Sequence, residues 1–444
     1  MLKTYWISMR TFTVVWAGQL VSTIGSNLTG FGLGVWIYEE TGSTTLFALN
    51  LLAVMLPNVL LSPLAGLVVD RGDRRLVMIM ADAGAGLSTL AVALLFWGGW
   101  LELWHIYLAT AFISAFGSFQ WPAYSAATSL LVPKEHLGRA GGMVQLGEAV
   151  SMLIAPALAG ALFVTRGLGS IILLDFATFL FAIVTLLFVR FPRPEAAAEE
   201  TGEKSSFWQE AAYGWAYIFA RPGLSGLLTL FAALNFLGSL TYPLLTPMIL
   251  DMASPDVLGY ISSISGVGML VSTLVMSAWG GARRRVFTIL LFEMMAGTCL
   301  ALTGLRPSLV LIAAAGFGFM FTLPITNGAS QALWQSKVAP DVQGRVFAAR
   351  SMLAFSIIPV AYALAGPLSE RVFEPLMAVG GPLAESVAGR VIGSGPGRGI
   401  GLMFVLAGLL HVLSALTSFL YSPIRRIDLE LPDAVPDSPD AASA

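Results

Sequence analysis

The chain has a single cysteine, Cys299, three histidines and only 11% charged residues in 444. One cysteine excludes an intrachain disulfide and a cysteine-based metal site. The histidines, His105, His136 and His411, are far apart and form no metal-ligand spacing. No Gly-x-x-x-x-Gly-Lys-Ser/Thr phosphate loop and no Gly-x-Ser-x-Gly elbow occurs, which excludes P-loop nucleotide chemistry and that class of nucleophilic catalysis. Nucleic-acid binding has no basic soluble domain to house it. The chain therefore reads as a non-enzyme with no cofactor and no metal, and its many Phe, Met and Trp residues are ordinary for apolar spans.

What the sequence does have is hydrophobic length. Residues 11–38, 41–69, 223–250, 257–282 and 307–336 carry no Asp, Glu, Lys or Arg, and 56% of the chain is hydrophobic. About 20 apolar residues suffice for a helix to cross the hydrocarbon core of a bilayer. A barrel strand would instead alternate over about 10 residues, so these uniform runs predict helices. Twelve spans are expected, at 12–36, 45–69, 76–97, 104–131, 138–164, 169–190, 224–250, 258–279, 285–304, 308–333, 345–372 and 400–421.

Lys and Arg set the orientation. With both termini inside, cytoplasmic segments hold 18 of the 24 and outer segments hold five, Arg166, Arg306, Arg371, Arg390 and Arg398, with Arg350 inside a span. The net charge of −2 is uninformative about partners because charge is sorted by side. No cleavable signal is evident, and the first span is expected to serve as its own. The polar stretch midway, RFPRPEAAAEETGEKSS, predicts a linker. The domain reading is a six-helix half at 1–190, a cytoplasmic linker with an interfacial helix at 191–223, a second half at 224–421 and a disordered tail at 422–444.

The halves repeat each other. Arg139 to Gly160 and Arg345 to Gly366 are equal intervals, each ending in Ala-Gly, and DRGDRR at 70–75 corresponds to GGARRR at 280–285. Two related halves with a site between them near the bilayer midplane are the sequence sign of a secondary transporter. Turn formation and topology explain Arg71, Gly72, Arg74 and Arg75. They leave Asp70, whose carboxylate at a helix end suits the positive N-terminal end of a neighbouring helix.

GLVVDRGDRR resembles the loop signature Gly-x-x-x-Asp-Arg-x-Gly-Arg-Arg of the major facilitator superfamily through Gly66, Asp70, Arg71, Arg74 and Arg75, with Asp73 replacing a glycine. The resemblance implies an all-α integral membrane fold of 12 helices in two pseudo-symmetric halves. It also implies a conformational gate in which Asp70 and the arginines meet the helix-eleven end near Gly344 and Arg345. The variant loop, GQLVSTIGSNLTGFGLGVWIYEETGS and GPGRGIGLMF look like the bacterial efflux branch of macrolide and siderophore exporters, the enterobactin type included. APALAG, with Pro156 and Gly160, is similar to that superfamily's antiporter motif. Span four lacks the arginine of many proton-coupled exporters, and Ser26-Asn27 stands where many relatives have an aspartate after the glycine.

Ionisable side chains inside spans are functional candidates. Glu148 lies about 15 Å along its helix, near the midplane, and is the residue expected to bind proton or substrate. Asp82, Asp175, Glu293 and His411 fall on helices that the resemblance places peripherally; Asp82 and Glu293 read as snorkelling partners of basic loops. Arg350 is assigned to the gate. Uncharged substrate-binding candidates are Asn27, Gln120, Tyr124, Asn235, Asn327 and Gln331, with Gln19, Trp121, Tyr242 and Trp334 beside them. The expectation is a monomeric, proton-coupled exporter of an amphipathic organic compound in a bacterial inner membrane. An importer or uniporter of a small solute, or a non-transporting scaffold or sensor, stays open as an alternative.

Overall fold

A backbone with no water around it must close its hydrogen bonds within its own segment, and in the computed structural model all the regular structure described is helical. The structure describes residues 2–133, 136–189, 207–279, 284–339 and 342–430. The elements are α1 (Leu2–Thr41), α2 (Thr44–Arg71), α3 (Arg74–Trp97), α4 (Leu103–Leu131), α5 (Leu137–Arg166), α6 (Leu168–Phe188), α7 (Phe207–Phe219), α8 (Pro222–Leu250), α9 (Pro255–Trp279), α10 (Arg285–Leu305) and α11 (Leu309–Lys337). The eleventh span is broken into α12 (Gln343–Ser356), α13 (Ile358–Leu368), a π-helical turn (Ser369–Phe373) and α14 (Glu374–Met377). Then come α15 (Val387–Ile392), α16 (Arg398–Leu420), α17 (Ser422–Arg425) and α18 (Ile427–Glu430).

Eleven of these segments are long and apolar enough to cross a membrane. The other expected span, α4, is 29 residues long, about 43 Å at 1.5 Å per residue. Its Trp, Tyr, Ser and Gln residues dilute its hydropathy without adding Asp, Glu, Lys or Arg. Together they make twelve. The break in span eleven has a local cause: Pro359 opens α13 without a backbone N–H, and Pro367 precedes the π turn. Leu60, Leu94, Phe188 and Leu274 are all more than half exposed, as lipid-facing side chains are.

The chain divides into two compact units. The first comprises residues 1–200 and also 249–263; the second comprises 201–248 and 264–444. In the first, α1 packs on α5 and α6, α2 and α3 on α4, and α3 on α6. Phe12, Val69, Met78, Ala127 and Leu186 form one of its cores; Leu33, Ile37, Val92, Ile106 and Ile172 form another. In the second, α10 packs on α11 and α16. The α10–α16 contact is backbone-close: a Cβ on Gly408 would lie 2.5 Å from the Gly297 carbonyl oxygen, and one on Gly304 would strike Gly401. Small residues of this kind let membrane helices approach closely.

Of the expected linker, 191–206 lie outside the described residues, and 207–219 is α7. It packs on α12 and sinks Ile218 and Trp215 into the core of the second unit. Residues 422–430, expected as the start of a disordered tail, are α17 and α18 instead. The reason is burial: Ile424 and Ile427 enter the same core, and the Asp428 side chain accepts from Val286 N–H at 3.1 Å. The rest of the tail, 431–444, lies outside the described residues. The segment after Phe373 is folded as well, with Met377, Ile392 and Leu402 forming a small core. Glu374 accepts from the N–H groups of Gly397 (3.2 Å) and Ile400 (3.0 Å) at the start of α16.

Candidate functional site

The charged loop at 70–75 resolves into helix ends. Asp73 is the N-cap of α3, accepting from Arg75 N–H at 2.9 Å and Leu76 N–H at 3.3 Å. Arg74 donates to the Ala126 carbonyl near the end of α4 at 3.2 Å. Arg75 donates to the carbonyls of Leu186 and Leu187 at the end of α6, both at 2.8 Å. Last-turn carbonyls have no partner within their own helix, and the Arg75 guanidinium satisfies two of them in α6 while complementing the helix dipole. The side chains of Asp70 and Arg71 lie outside the described residues. Gly66 has open space where a Cβ would be, as does Gly344 at the start of α12. Arg345 is exposed, with its guanidinium 5.5 Å from the Tyr213 ring centroid on α7. Asp73 was hidden in the sequence because it occupies a glycine position of the signature. The available signal was an acidic residue directly before a helix start.

The second unit repeats the arginine fastening. Arg285, at the start of α10, donates to the Ala332 carbonyl at 3.0 Å and to Ser336 Oγ at 2.5 Å, both near the end of α11.

Asp82 and Glu293 are not snorkelling partners of these loops. Asp82 is buried and accepts from Gln19 Nε2 of α1 at 3.0 Å; Gln19 Oε1 in turn accepts from Gln120 Nε2 of α4 at 2.7 Å. Glu293 is buried against His411 of α16, with 2.8 Å between Oε2 and Nε2. The loop arginines that would have met them already hold backbone carbonyls. Asp175 of α6 is buried too, with Thr89 of α3 donating to it at 3.3 Å.

Glu148 of α5 is partly exposed, and its carboxylate acts electrostatically on Tyr124 of α4. On the same helix, one turn further, Ser151 Oγ accepts from Asn27 Nδ2 of α1 at 2.8 Å. The first unit thus brings Asn27, Tyr124 and Glu148 together across α1, α4 and α5, with Gln120 one turn before Tyr124. Of the second-unit candidates, Asn235 donates to the Ala354 carbonyl at 3.4 Å. Gln331 and Ser330 accept from Arg350 at 3.2 and 3.1 Å, and the same guanidinium lies 5.2 Å from the Trp334 ring centroid. Asn327 is exposed. Tyr242 stacks on Tyr362 at 6.2 Å between centroids. Trp121 is half exposed.

Pro156 and Gly160 sit at a close helix crossing. A Cβ on Gly160 would lie 2.5 Å from the Pro255 carbonyl oxygen and 2.9 Å from Asp256 Cα of α9, and a Cβ on Gly259 would strike the Pro156 carbonyl. The contact is reciprocal, Pro-x-x-x-Gly of α5 against Pro-x-x-x-Gly of α9, and the second copy was present in the sequence at 255–259. Ser263 donates to the Leu153 carbonyl at 2.6 Å, and Tyr38 to Asp251 at 2.6 Å. These bonds attach 249–263 to α5 and α1.

Comparison with known proteins bears on this arrangement. Residues 15–363 match the Major Facilitator Superfamily model. The chain is 27% identical over 430 residues to macrolide efflux protein A of Streptococcus pyogenes, covering 94% of this chain and 98% of that one. It is 25% identical over 323 residues to the enterobactin exporter EntS of Shigella flexneri, covering 72% and 75%. In fold it is similar to a bacterial homologue of the human lysosomal transporter Spinster, solved inward-facing and unoccupied, with a TM-score of 0.71 and 14% identity over 97% and 99% of the two chains. The helical architecture, the duplicated arginine fastening and a family match over most of its length place this multi-pass membrane protein in the Major Facilitator Superfamily.

Proposed function

We propose that the chain exports an amphipathic organic compound, a macrolide, siderophore or other natural product, across a bacterial inner membrane in exchange for protons. The observation that carries this reading is the end-to-end match to a macrolide efflux protein, with 94% of this chain and 98% of the relative aligned. The lysine and arginine distribution supports cytoplasmic termini. Folded cores within each compact unit support two six-helix halves joined by the segment around 191–223, and the reading takes the protein as a monomer.

Within this reading Glu148 binds substrate or proton, and Asn27, Gln120, Tyr124, Asn235, Asn327 and Gln331 are the substrate-binding candidates. Apolar walls with a few polar groups suit amphipathic ligands. Gly66, Asp70, Arg71, Arg74, Arg75, Gly344 and Arg345 form the gate, and Pro156 and Gly160 carry the antiporter-like motif. Arg74 and Arg75 serve that gate by fixing the ends of α4 and α6.

The test is uptake of macrolides, siderophores and dyes into inverted membrane vesicles, with and without an uncoupler, for the wild type and Glu148→Gln. Uncoupler-sensitive accumulation that the variant loses is the expected result. Accumulation that ignores the uncoupler would refute proton exchange, and accumulation unchanged in the variant would remove Glu148.

A further inference from the structure

Asp82 is a buried acid with few means of staying charged. It is 4% exposed; Gln19 Nε2 donates to it at 3.0 Å, and the Gln120 amide lies near it as a second donor. The ionisable groups on the surrounding elements are few. On α3 itself they are Arg74 and Arg75, two turns away and committed to the carbonyls of Ala126, Leu186 and Leu187. On α6 there is Asp175, occupied with Thr89, and on α4 there are Tyr124, Tyr107 and His105. Between Arg10 and Tyr38, α1 has no ionisable side chain, and α2 has none before Asp70. A buried carboxylate with no counter-cation is costly in a membrane protein. A proton is what neutralises it.

Its bonding partners give that proton a consequence. Asp82, Gln19 and Gln120 form a chain running from α3 through α1 to α4, and at its far end Gln120 Oε1 is buried with no partner. A primary amide carries donors on one side and an acceptor on the other. With Asp82 ionised, Gln19 donates to it, Gln120 donates to Gln19, and an acceptor oxygen is left at the end. With Asp82 protonated, its O–H donates to Gln19 Oε1 and both amides turn over. Gln19 then donates to Gln120 Oε1, and an N–H2 donor is left at the end instead. Every bond along the Asp82–Gln19–Gln120 chain is kept, and the polarity of the terminal group reverses.

We propose that Asp82 is the proton-carrying residue of the transport cycle, and that Gln19 and Gln120 form an invertible amide relay presenting its protonation state on α4 as an acceptor or a donor. Gln120 is itself partly exposed, three residues after Gly117 and one before Trp121, both exposed on that helix, and one turn before Tyr124. A substrate group meeting Gln120 is therefore read against one protonation state or the other, and Glu148 is left to the substrate. The proposal deepens the proton-exchange reading and rests on it for its place in the cycle.

The first measurement does not need a substrate. Infrared pH-difference spectra of the purified protein in lipid should contain the carbonyl band of a buried carboxyl that comes and goes with pH. Asp82→Asn should remove that band, Asp82→Glu should restore it, and Glu148→Gln and Asp175→Asn should leave it in place. Gln19→Leu should change the frequency and midpoint of the band, because the carboxyl loses its partner in both states. A titrating band that Asp82→Asn leaves untouched, or no titrating band in the wild type, would overturn the relay.

The second measurement uses erythromycin in vesicles. Asp82→Asn should keep erythromycin–erythromycin exchange within about twofold of wild type while uphill accumulation falls at least tenfold, about 1.4 kcal/mol in driving force. Uphill accumulation preserved in Asp82→Asn overturns the assignment alone. A wild type whose accumulation ignores an uncoupler, or that moves no erythromycin, refutes a proton-carrying role in erythromycin export together with the exchange reading, while the spectra still decide whether Asp82 titrates.

Discussion

Gly160→Ala is the smallest change that should unseat 249–263 from α5. The added Cβ would lie 2.5 Å from the Pro255 carbonyl oxygen, 2.9 Å from Asp256 Cα and 3.1 Å from the Pro255 carbonyl carbon, all backbone atoms that no rotamer change can move. Overpacking of this kind costs about 1–3 kcal/mol. Alanine's higher helix propensity, about 1 kcal/mol, stabilises α5 whether or not 249–263 is seated on it, so the loss in seating is about 1–3 kcal/mol. Gly141 on the same helix is the control: it is exposed, with nothing within 4 Å of its Cβ position, and should gain the propensity term alone. The contrast between the two variants is thus about 1–3 kcal/mol, a factor of about 5–150 in an opening equilibrium. Hydrogen exchange of the amides in 249–263, read in lipid, reports it. Gly160→Ala should speed that exchange and Gly141→Ala should leave it unchanged. Equal exchange in Gly160→Ala and wild type would show that the crossing absorbs a methyl group and would refute the reasoning. Gly259→Ala, which meets the Pro156 carbonyl from the other side, should resemble Gly160→Ala, and the pair should add less than fully because both relieve one contact.

Two further predictions concern side chains holding helices together. Removing one partner of the Glu293–His411 pair, as in Glu293→Ala, should cost about 3–5 kcal/mol because the other is left buried and unpaired; replacing both by leucine should cost much less, with thermal unfolding in detergent as the check. Arg75→Ala frees the Leu186 and Leu187 carbonyls and should cost about 1.5–3 kcal/mol, each lost bond being charge-assisted but half-exposed. Lysine there should restore only part of this, since it lacks the planar fork that spans two carbonyls; full recovery would argue for charge alone.

Most of the fold was legible because solvent dictates it: a run with no charge for about 20 residues has few soluble alternatives. Even α4, the most polar span, stands out in the sequence as 104–131 because it contains no Asp, Glu, Lys or Arg. The breaks in span eleven were less visible, although Pro359 and Pro367 mark them, because a proline in a membrane helix produces a kink, a break or a π turn according to its neighbours. The site was legible by residue and obscure by partner. Asp82 follows Arg75 by seven residues (75 to 82), which puts both on one helix face but about 10 Å apart along it. That spacing says nothing of Gln19, whose approach depends on how α1 packs. His411 and Glu293 are 118 positions apart, and no local periodicity joins them. The reciprocal Pro-x-x-x-Gly at 255–259 was there to be read, but its meaning lies in the crossing of two helices.

The twin arginine fastenings let one chain serve as its own pair of relatives. Arg74 reaches Ala126 and Arg285 reaches Ala332, one position out of the register that pairs 70–75 with 280–285, and eight positions beyond each arginine (74 to 82, 285 to 293) stands a buried acid. The anchoring of one helix start to the next helix's end is the same in both copies, whereas the acids have parted company: Asp82 meets an amide and Glu293 an imidazole. If the halves descend from one ancestral segment, its anchor has outlasted whatever its acid first did, and each copy has been free to give that acid new company.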